Sequence, residues 1–288
     1  MNGIVIMDKP MGVTSFKALG IVKKAYNTGR VGHTGTLDPD ATGVLPILVG
    51  KATRAAELIT ASDKRYKTTI KLGVRTDTLD LSGNITDERE VSVTEKDVVE
   101  AVSSFIGDIE QVPPMYSAVS VGGVRLYDLA RQGREIEREK RPVTVYSIDI
   151  LDISLPFVTL DVSCSKGTYI RTLADDIGMK LGTFAAVSTL RRTASGCFSE
   201  KDCFTPEEIA NDPEGCILPI DSVFSNYDKI MLDEKRSKMV KNGVPIYFNE
   251  KKEGAVLRVY DDKGEFIALS KTEVIDGRLC LRMIKSFY

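Results

Sequence analysis

The sequence predicts an α+β fold: a mixed or antiparallel sheet flanked by helices, followed by a small β-rich module. Segments with strand alternation and segments with helical spacing occur in no regular βαβ order, which argues against a doubly wound parallel sheet. The chain has 288 residues, which is more than a typical single domain. Short turns with three prolines mark a boundary between residues 205 and 227, so we expect one domain at 1–225 and a second at 226–288.

The first elements follow from apolar spacing and capping residues. A short apolar run predicts a strand at 4–7, and Thr14 or Ser15 could cap a helix at about 15–26. After a glycine-rich stretch, the apolar run VLPILVG has the length of a strand. A helix is then expected from about 52 to 61.

The middle of the chain mixes strands and helices. Alternating polar and apolar residues predict a half-buried strand at 65–73, and Thr94 with Asp97 forms a capping-box pattern before a helix near 95–105. The remaining expected elements are a partly helical segment at 125–141, strands at 143–153 and 157–164 around a turn, a helix after the glycine turn in 165–182, a short helix in 233–243, and strands near 255–260, 265–270 and 278–284.

The composition is ordinary for a soluble globular protein, with 42% hydrophobic and 28% charged residues. No run approaches the roughly 18 apolar residues of a membrane span, and the N-terminus lacks the pattern of a signal peptide. The five cysteines include no C-x-x-C pair, and His33 is the single histidine. We therefore expect a cytoplasmic protein with reduced thiols, no metal site and no membrane association.

Charge is unevenly distributed along the chain. Residues 1–75 contain 12 Lys/Arg and 5 Asp/Glu, whereas residues 76–110 contain 2 and 10. An ordinary mixed surface and a basic face for an anionic partner both fit this distribution.

Residues 32–43, GHTGTLDPDATG, place two carboxylates among glycines and proline, which exclude a stable helix. On local chemistry alone, Asp38 could simply cap the turn before Pro39. The run DPDAT also fits the D-x-D-x-T signature of haloacid-dehalogenase-type phosphatases, although a polar turn precedes it where those enzymes have the end of a hydrophobic strand. Gly50 and Lys51 are followed by alanine, so a phosphate-binding P-loop is excluded.

A longer pattern is more specific. The string GHTGTLDPDATGVLPILVGKATR resembles the catalytic motif of the TruB family of tRNA pseudouridine synthases over more than twenty consecutive positions. The resemblance continues in the family's order through DKPMGVTSF, DKRYKTTIKLGVRTDTLDLSG, QVPPMYSAV, and CSKGTYIRTLADDIG followed by LRR. These blocks run from residue 8 to about 192, so the C-terminal third matches weakly.

The resemblance implies an enzyme that isomerises the T-loop uridine at tRNA position 55 to pseudouridine. This reaction breaks the N-glycosidic bond, rotates the base and rejoins it through C5, with no net redox change, so no cofactor is expected. The implied partner is the T arm of tRNA, whose phosphates would meet the basic residues of 1–75 while the acidic segment 76–110 faces away. We expect the enzyme to be a monomer.

The resemblance also implies roles for individual residues. Asp38 becomes the catalytic aspartate, with attack at C1′, attack at C6 and a glycal route all left open. Arg171 is expected to pair with Asp38 and to keep it ionised. Tyr66 would stack on the target base and is a candidate for removing the C5 proton, although alone it would suggest a core aromatic. Tyr169 and Leu190 match positions that line the uracil pocket.

His33 and Lys9 complete the expected set. In the family, the residue equivalent to His33 enters the T loop where nucleotides flip out, which replaces lost stacking. Lys9 resembles a substrate-binding position near the active site, and Asp40 matches no catalytic position. The C-terminal strands are similar to an RNA-binding PUA domain. The competing hypothesis is an RNA-binding or RNA-folding module without catalysis, which would have no use for Asp38.

Overall fold

The computed structural model of the protein describes residues 1–60 and 62–288. The fold is α+β, as the sequence predicts. In chain order, the strands of the larger part are β1 (Gly3–Lys9), β2 (Val31–His33), β3 (Thr42–Val49), β4 (Lys64–Leu72), β5 (Val74–Thr76), β6 (Ile85–Glu88), β7 (Gly107–Gln111), β8 (Ser120–Val121), β9 (Val124–Arg125), β10 (Arg141–Ser154), β11 (Phe157–Cys164), β12 (Ala185–Ser195) and β13 (Phe198–Ser199). The helices of this part are α1 (Ser15–Ala25), α2 (Ala56–Thr60), α3 (Glu95–Ser103), α4 (Leu126–Arg131), α5 (Ile170–Lys180) and α6 (Pro206–Asn211).

Nine strands form one mixed sheet. The strand order is β1-β3-β12-β4-β11-β10-β7, with β2 beside β3 and β13 beside β12. Neighbouring strands run antiparallel except for β3 and β12, which are parallel. Since β4 pairs over its full length with β12 on one side and β11 on the other, β4 lies near the centre of the sheet.

Local sequence signals account for several of these elements. The alternation in β4 places Lys64, Tyr66 and Thr68 on one buried face of the strand. Thr94 begins α3 with the expected capping box, and the side chain of Thr14 caps α1 by accepting from a backbone N–H.

Other elements differ from the sequence-based expectation. The helix expected at 52–61 is a 3₁₀ turn at Gly50–Ala55 followed by the short helix α2, and residue 61 lies outside the described residues. The strand β12 was not expected, because two irregularities in its pairing with β4 interrupt the alternation that would reveal a strand.

The parallel pair of β3 and β12 depends on Gly43. This residue has a φ of +99°, and a Cβ built there would lie 2.2 Å from the backbone oxygen of Arg192. A glycine is therefore required for the two strands to approach each other at this point.

The C-terminal part is a separate five-stranded sheet. Its elements are β14 (Asp228–Met231), α7 (Glu234–Lys241), β15 (Ile246–Tyr247), β16 (Val256–Tyr260), β17 (Phe266–Ile275) and β18 (Arg278–Ser286), in the sheet order β14-β16-β17-β18-β15. Leu269 and Phe287 share one buried cluster with Ile4, Leu48 and Phe224 of the larger part. The β-rich module thus packs directly on the main sheet. No helix of the described residues is long and apolar enough to cross a membrane.

Candidate active site

A cavity of about 520 Å³ lies between the loop that follows β2, the centre of the main sheet and the start of α5. Five of the residues singled out from the sequence line it: Asp38, Tyr66, Tyr169, Arg171 and Leu190. They come from four separate segments of the chain, so the fold is what brings them together.

Each element has a distinct part in this arrangement. Asp38 lies in the loop between β2 and β3, and Tyr66 projects from the buried face of β4. Leu190 lies on β12, opposite Thr68 of β4. Arg171 is in the first turn of α5, immediately after the strand β11 and a glycine turn.

Arg171 and Asp38 form a two-point ion pair. Nη2 of Arg171 donates to Oδ1 of Asp38 at 3.2 Å, and Nε lies 2.9 Å from Oδ2 as a charge contact. The arginine side chain is 6% exposed, whereas the aspartate side chain is 37% exposed. The carboxylate is therefore held from one side and open toward the cavity on the other.

The rest of the guanidinium is bonded to the backbone. Nη1 of Arg171 donates to the carbonyl oxygen of Thr78 at 2.7 Å, and Nη2 donates to that of Tyr116 at 2.8 Å. These bonds fix the arginine in a single orientation, as its planar fork of donors allows.

Asp80 lies beside this pair, with Oδ2 at 3.9 Å from Nε of Arg171. Its other oxygen accepts from the hydroxyl of Thr78 at 2.8 Å and from the hydroxyl of Ser82 at 2.6 Å. Asp80 belongs to the acidic segment 76–110, which was expected to face away from RNA. The turn that follows β5 nevertheless brings Asp80 back to the start of α5 and beside Arg171.

The pKa of the Asp38 carboxyl reflects these neighbours. Burial raises the pKa above its ordinary value, the Arg171 guanidinium lowers it, and the Asp80 carboxylate raises it. The net direction is upward, and the ion pair with Arg171 limits the rise.

Two buried side chains hold the backbone on both sides of Asp38. The hydroxyl of Ser15 accepts from the N–H of Leu37 and donates to its carbonyl oxygen, both at 2.9 Å. Lys9 is fully buried, and its Nζ donates to the carbonyl oxygens of Val13 and Pro39 at 2.6 and 3.0 Å. Lys9 does not line the cavity, so its ammonium group acts on the loop backbone from behind. Burial lowers the pKa of Lys9 to about 8.

The start of α5 is held by Gln111, the last residue of β7. Its Oε1 accepts from the N–H of Tyr169 at 2.9 Å, and its Nε2 donates to the carbonyl oxygen of Tyr169 at 3.3 Å. Tyr169 is the N-cap residue of α5 but makes no side-chain capping bond. The amide of Gln111 therefore fixes the turn that positions both Tyr169 and Arg171.

Tyr66 lies opposite Arg192 in the pairing of β4 with β12. Burial raises the pKa of the Tyr66 phenol, and the Arg192 guanidinium lowers it. Arg192 is almost fully buried and donates to the carbonyl oxygens of Val44 and Gly35 at 2.7 and 3.2 Å. It thereby supports both Tyr66 and the loop that leads to Asp38.

The cavity wall carries more cations than carboxylates. Besides Arg171 and Arg192, the lining includes Lys64, Arg141 and Lys166, whereas Asp38 is its one carboxylate among the described residues. Burial lowers the pKa of Lys64 to about 8. This charge suits an anionic ligand.

His33 and Asp40 lie outside the main cavity. His33 ends β2 and is partly exposed, and its Nδ1 accepts from the N–H of Gly35 at 3.4 Å. Burial lowers the pKa of its imidazole, as does Arg192. Asp40 lines a smaller cavity of about 240 Å³ that reaches Asp38 from the other side.

Sequence reasoning missed three residues of this site: Asp80, Gln111 and Arg192. Each lies in one of the sequence blocks that resemble the TruB family. Membership of such a block is the sequence feature that could have identified it. In residues 1–60 and 62–288, no group of three or more His, Cys, Asp or Glu side chains could hold a metal ion.

Comparisons with known proteins identify the family of the chain. Residues 23–170 match the family model described as TruB family pseudouridylate synthase (N terminal domain), and residues 171–225 match the model described as tRNA pseudouridylate synthase B C-terminal domain. The protein named tRNA pseudouridine synthase B of Clostridium tetani is 43% identical over 277 residues, covering 94% of this chain and 96% of that protein. The protein of the same name from Alkaliphilus oremlandii is 47% identical over 251 residues, covering 86% and 84%.

Solved structures show the same fold. A chain of the "Crystal Structure of a Cbf5-Nop10-Gar1 Complex" superposes with a TM-score of 0.74 at 27% identity, covering 99% of this chain and 85% of that chain. A chain of the "Structure of H/ACA RNP bound to a substrate RNA containing 2'-deoxyuridine" gives a TM-score of 0.73 at 25% identity with the same coverage. The two family models, which together span residues 23–225, and the relatives that match nearly the whole chain show that this protein belongs to the TruB family of pseudouridylate synthases.

Proposed function

We propose that this protein isomerises the T-loop uridine at tRNA position 55 to pseudouridine, with Asp38 as the nucleophile. The observation that carries the proposal is the open carboxylate of Asp38, held at two points by Arg171 in a cavity of about 520 Å³. That volume is in the range of small-ligand sites and suits one flipped nucleoside.

The chemistry requires one bond to break and another to form. The N1–C1′ bond of uridine breaks, the uracil turns, C5 bonds to C1′, and the C5 proton leaves while N1 gains a proton. A fixed carboxylate supports this sequence as a nucleophile, much as in retaining glycosidases. Arg171 positions Asp38 and opposes the loss of its charge. Tyr66 stacks on the base and is the candidate that accepts the C5 proton, as a phenolate whose own proton has first passed to solvent.

The polar walls of the cavity support binding of a nucleotide. Lys64, Arg141 and Lys166 supply cations for phosphate oxygens. Tyr169 and Leu190 pack against the uracil. Lys9 supports the catalytic loop through the carbonyl oxygen of Pro39.

His33 suits a neutral, stacking role. Its Nδ1 already accepts a backbone N–H, and its lowered pKa keeps the imidazole uncharged at neutral pH. A neutral ring of this kind replaces the stacking that a flipped base leaves behind. We infer that His33 enters the T loop in this way.

The test is release of tritium from a T-arm stem-loop labelled at uridine C5, without added metal. We expect release by the wild type and none by Asp38→Asn, with RNA affinity retained in both. Release by Asp38→Asn would remove Asp38 from the mechanism. Binding without release by the wild type would overturn the proposed reaction and favour an RNA-binding module.

We propose further that residues 226–288 form a PUA-like RNA-binding domain next to a catalytic domain at 1–225. The five-stranded sheet and the basic, exposed helix α7 support this division. Replacing Lys235 and Lys238 of α7 with Gln in the full chain should weaken binding of whole tRNA, and unchanged binding would contradict the RNA-binding role.

We also infer that the enzyme acts as a cytoplasmic monomer without a cofactor. A tRNA substrate belongs in the cytoplasm, and an isomerisation without net redox change requires no cofactor. Sedimentation of the protein with and without tRNA tests the oligomeric state, and a stable dimer would overturn it.

A further inference from the structure

The most exposed large apolar side chains of the described residues lie next to the catalytic loop. Phe16 is 76% exposed and Met11 is 64% exposed, which are the two highest values among large hydrophobic residues in the described part of the chain. Both belong to the segment that leads into α1. Two exposed apolar side chains close together indicate a surface that binds another molecule.

The exposed side of α1 is basic. Lys17 and Lys24 are exposed and Lys23 is partly exposed, and these positions share one side of the helix with Phe16 and Gly20. The helix, SFKALGIVKKA, contains no Asp or Glu. In the described residues, none of its three lysines forms an ion pair with a carboxylate. We call this surface, made of Met11, Phe16, Lys17, Lys23 and Lys24, the α1 face.

The α1 face is joined rigidly to the catalytic loop. Ser15, the neighbour of Phe16, holds both the N–H and the carbonyl oxygen of Leu37, the residue before Asp38. The N–H of Gly12, next to Met11, donates to the carbonyl oxygen of Pro39 at 2.9 Å. Met11 also lines the smaller cavity, which reaches Asp38.

We propose that the α1 face binds the RNA strand adjoining the reacting uridine, with Phe16 stacked on an unpaired base and the lysines on phosphates. This inference rests on the proposed function, because it takes the RNA in the main cavity as its starting point. An exposed aromatic among lysines combines the two features that bind single-stranded RNA, a stacking platform and a positive surface. Lys23, with Nζ 6.0 Å from the centre of the Phe16 ring, is close enough to contact the phosphate of the stacked nucleotide.

The first experiment measures equilibrium binding of a fluorescent, unmodified tRNA transcript to the full-length protein. We expect Phe16→Ala and Phe16→Leu to weaken binding about five- to a hundredfold, as for loss of one base–aromatic stack, and Phe16→Tyr to bind as the wild type. Ile85→Ala is the matched control, since Ile85 is an exposed apolar residue of β6 in the acidic segment.

The second experiment measures the salt dependence of binding. The double variant Lys17→Gln/Lys24→Gln should reduce the slope of log affinity against log salt by about 1.4 to 1.8, the value for two phosphate contacts. Lys96→Gln, an exposed lysine of α3 in the acidic segment, should leave the slope unchanged.

The outcomes separate this inference from the proposed function. Tritium release by the wild type, together with wild-type binding by the Phe16 and lysine variants, would overturn the α1 face as an RNA surface and leave the reaction intact. Wild-type affinity in Phe16→Leu alone would overturn stacking, since leucine is apolar but has no ring. Weaker RNA binding by the variants in a protein that released no tritium would support the α1 face and refute the reaction.

Discussion

Nε and Nη2 of Arg171 lie 2.9 and 3.2 Å from the two carboxylate oxygens of Asp38, with Nη2 donating a hydrogen bond, while the same guanidinium donates to two backbone carbonyl oxygens. This geometry leaves Asp38 no freedom to rotate without breaking a charge-assisted bond. The carboxylate is therefore ordered before RNA arrives, which is the arrangement that lowers the cost of reaching a transition state.

Arg171→Lys tests that geometry because it keeps the positive charge and removes the planar fork. A lysine ammonium cannot contact both oxygens of Asp38 and also donate to both carbonyl groups in the same orientation. We expect the rate of tritium release in a single turnover to fall about a hundredfold or more, with little change in RNA affinity. Arg75→Lys is the control, since Arg75 pairs with Asp175 at 2.7 Å outside the catalytic cavity. Equal losses in both variants would contradict a special role for the Asp38 pair.

Asp80→Asn tests the electrostatics of the same site through pH. Asp38 acts as a carboxylate, so activity is lost as the pH falls through its raised pKa. The Asp80 carboxylate raises that pKa, and removing its charge should therefore shift the acid limb of the kcat/KM profile to lower pH. Asp40→Asn should leave the limb in place, because Asp40, unlike Asp80, is not among the main causes of the shift. A shift of the limb to higher pH in Asp80→Asn would show that Asp80 acts in another way.

Tyr66→Phe separates stacking from proton removal. The ring remains, so RNA affinity should stay close to that of the wild type. The phenol oxygen is lost beside Arg192, the cation that lowers the pKa of Tyr66 against the effect of burial. We expect turnover to fall and a deuterium isotope effect at uridine C5 to appear, because proton removal then limits the rate. Near-normal turnover without an isotope effect would exclude the hydroxyl as an essential base.

The sequence predicted features that depend on contacts between neighbouring residues better than features that depend on contacts between distant ones. The Thr94 capping box was predicted, and Thr14 was one of two candidate caps for α1, because each side chain bonds within three residues. The strand β12 was missed because its pairing irregularities and its arginines obscure the alternation, and its pairing partners lie far away in sequence. Gln111 was missed for a similar reason, since it bonds to Tyr169, 58 residues further along the chain.

Contacts between site residues that are far apart in the sequence could be predicted only from the family resemblance. Asp38 and Arg171 are 133 residues apart, and no periodicity relates them. Their pairing was expected from the resemblance, and the geometry now shows the ion pair itself. Asp80 could not be predicted in this way. The acidic charge of its segment argued against a place beside an RNA site, yet the fold puts Asp80 next to Arg171.

Gln111→Met tests whether the start of α5 is positioned from β7. Methionine has a similar length but cannot bond to the backbone of Tyr169, so the N–H of Tyr169 loses its partner and the carbonyl oxygen keeps only the N–H of Leu173. We expect the free energy of unfolding to fall by about 1–3 kcal/mol, and turnover well below the melting temperature to fall more than RNA affinity does. Thr144→Val is the control: it removes the 2.7 Å bond to Asp108 between β10 and β7 without touching α5. Equal loss of turnover in the control would assign the effect to general loosening of the sheet edge.

Gly43→Ala tests the close approach of β3 to β12 that places Arg192 under the site. The added Cβ would lie 2.2 Å from the backbone oxygen of Arg192, and the φ of +99° disfavours any residue with a Cβ. The two strands would have to separate, so we expect the free energy of unfolding to fall by several kcal/mol. The fraction of the variant that folds should have reduced activity. Gly20→Ala supplies the opposite case, because Gly20 lies inside α1 with no atom within 4 Å of the added Cβ. That variant should gain about 0.5–1 kcal/mol from helix propensity. Chemical denaturation measures both, and a Gly43→Ala protein as stable as the wild type would contradict the close approach of the strands.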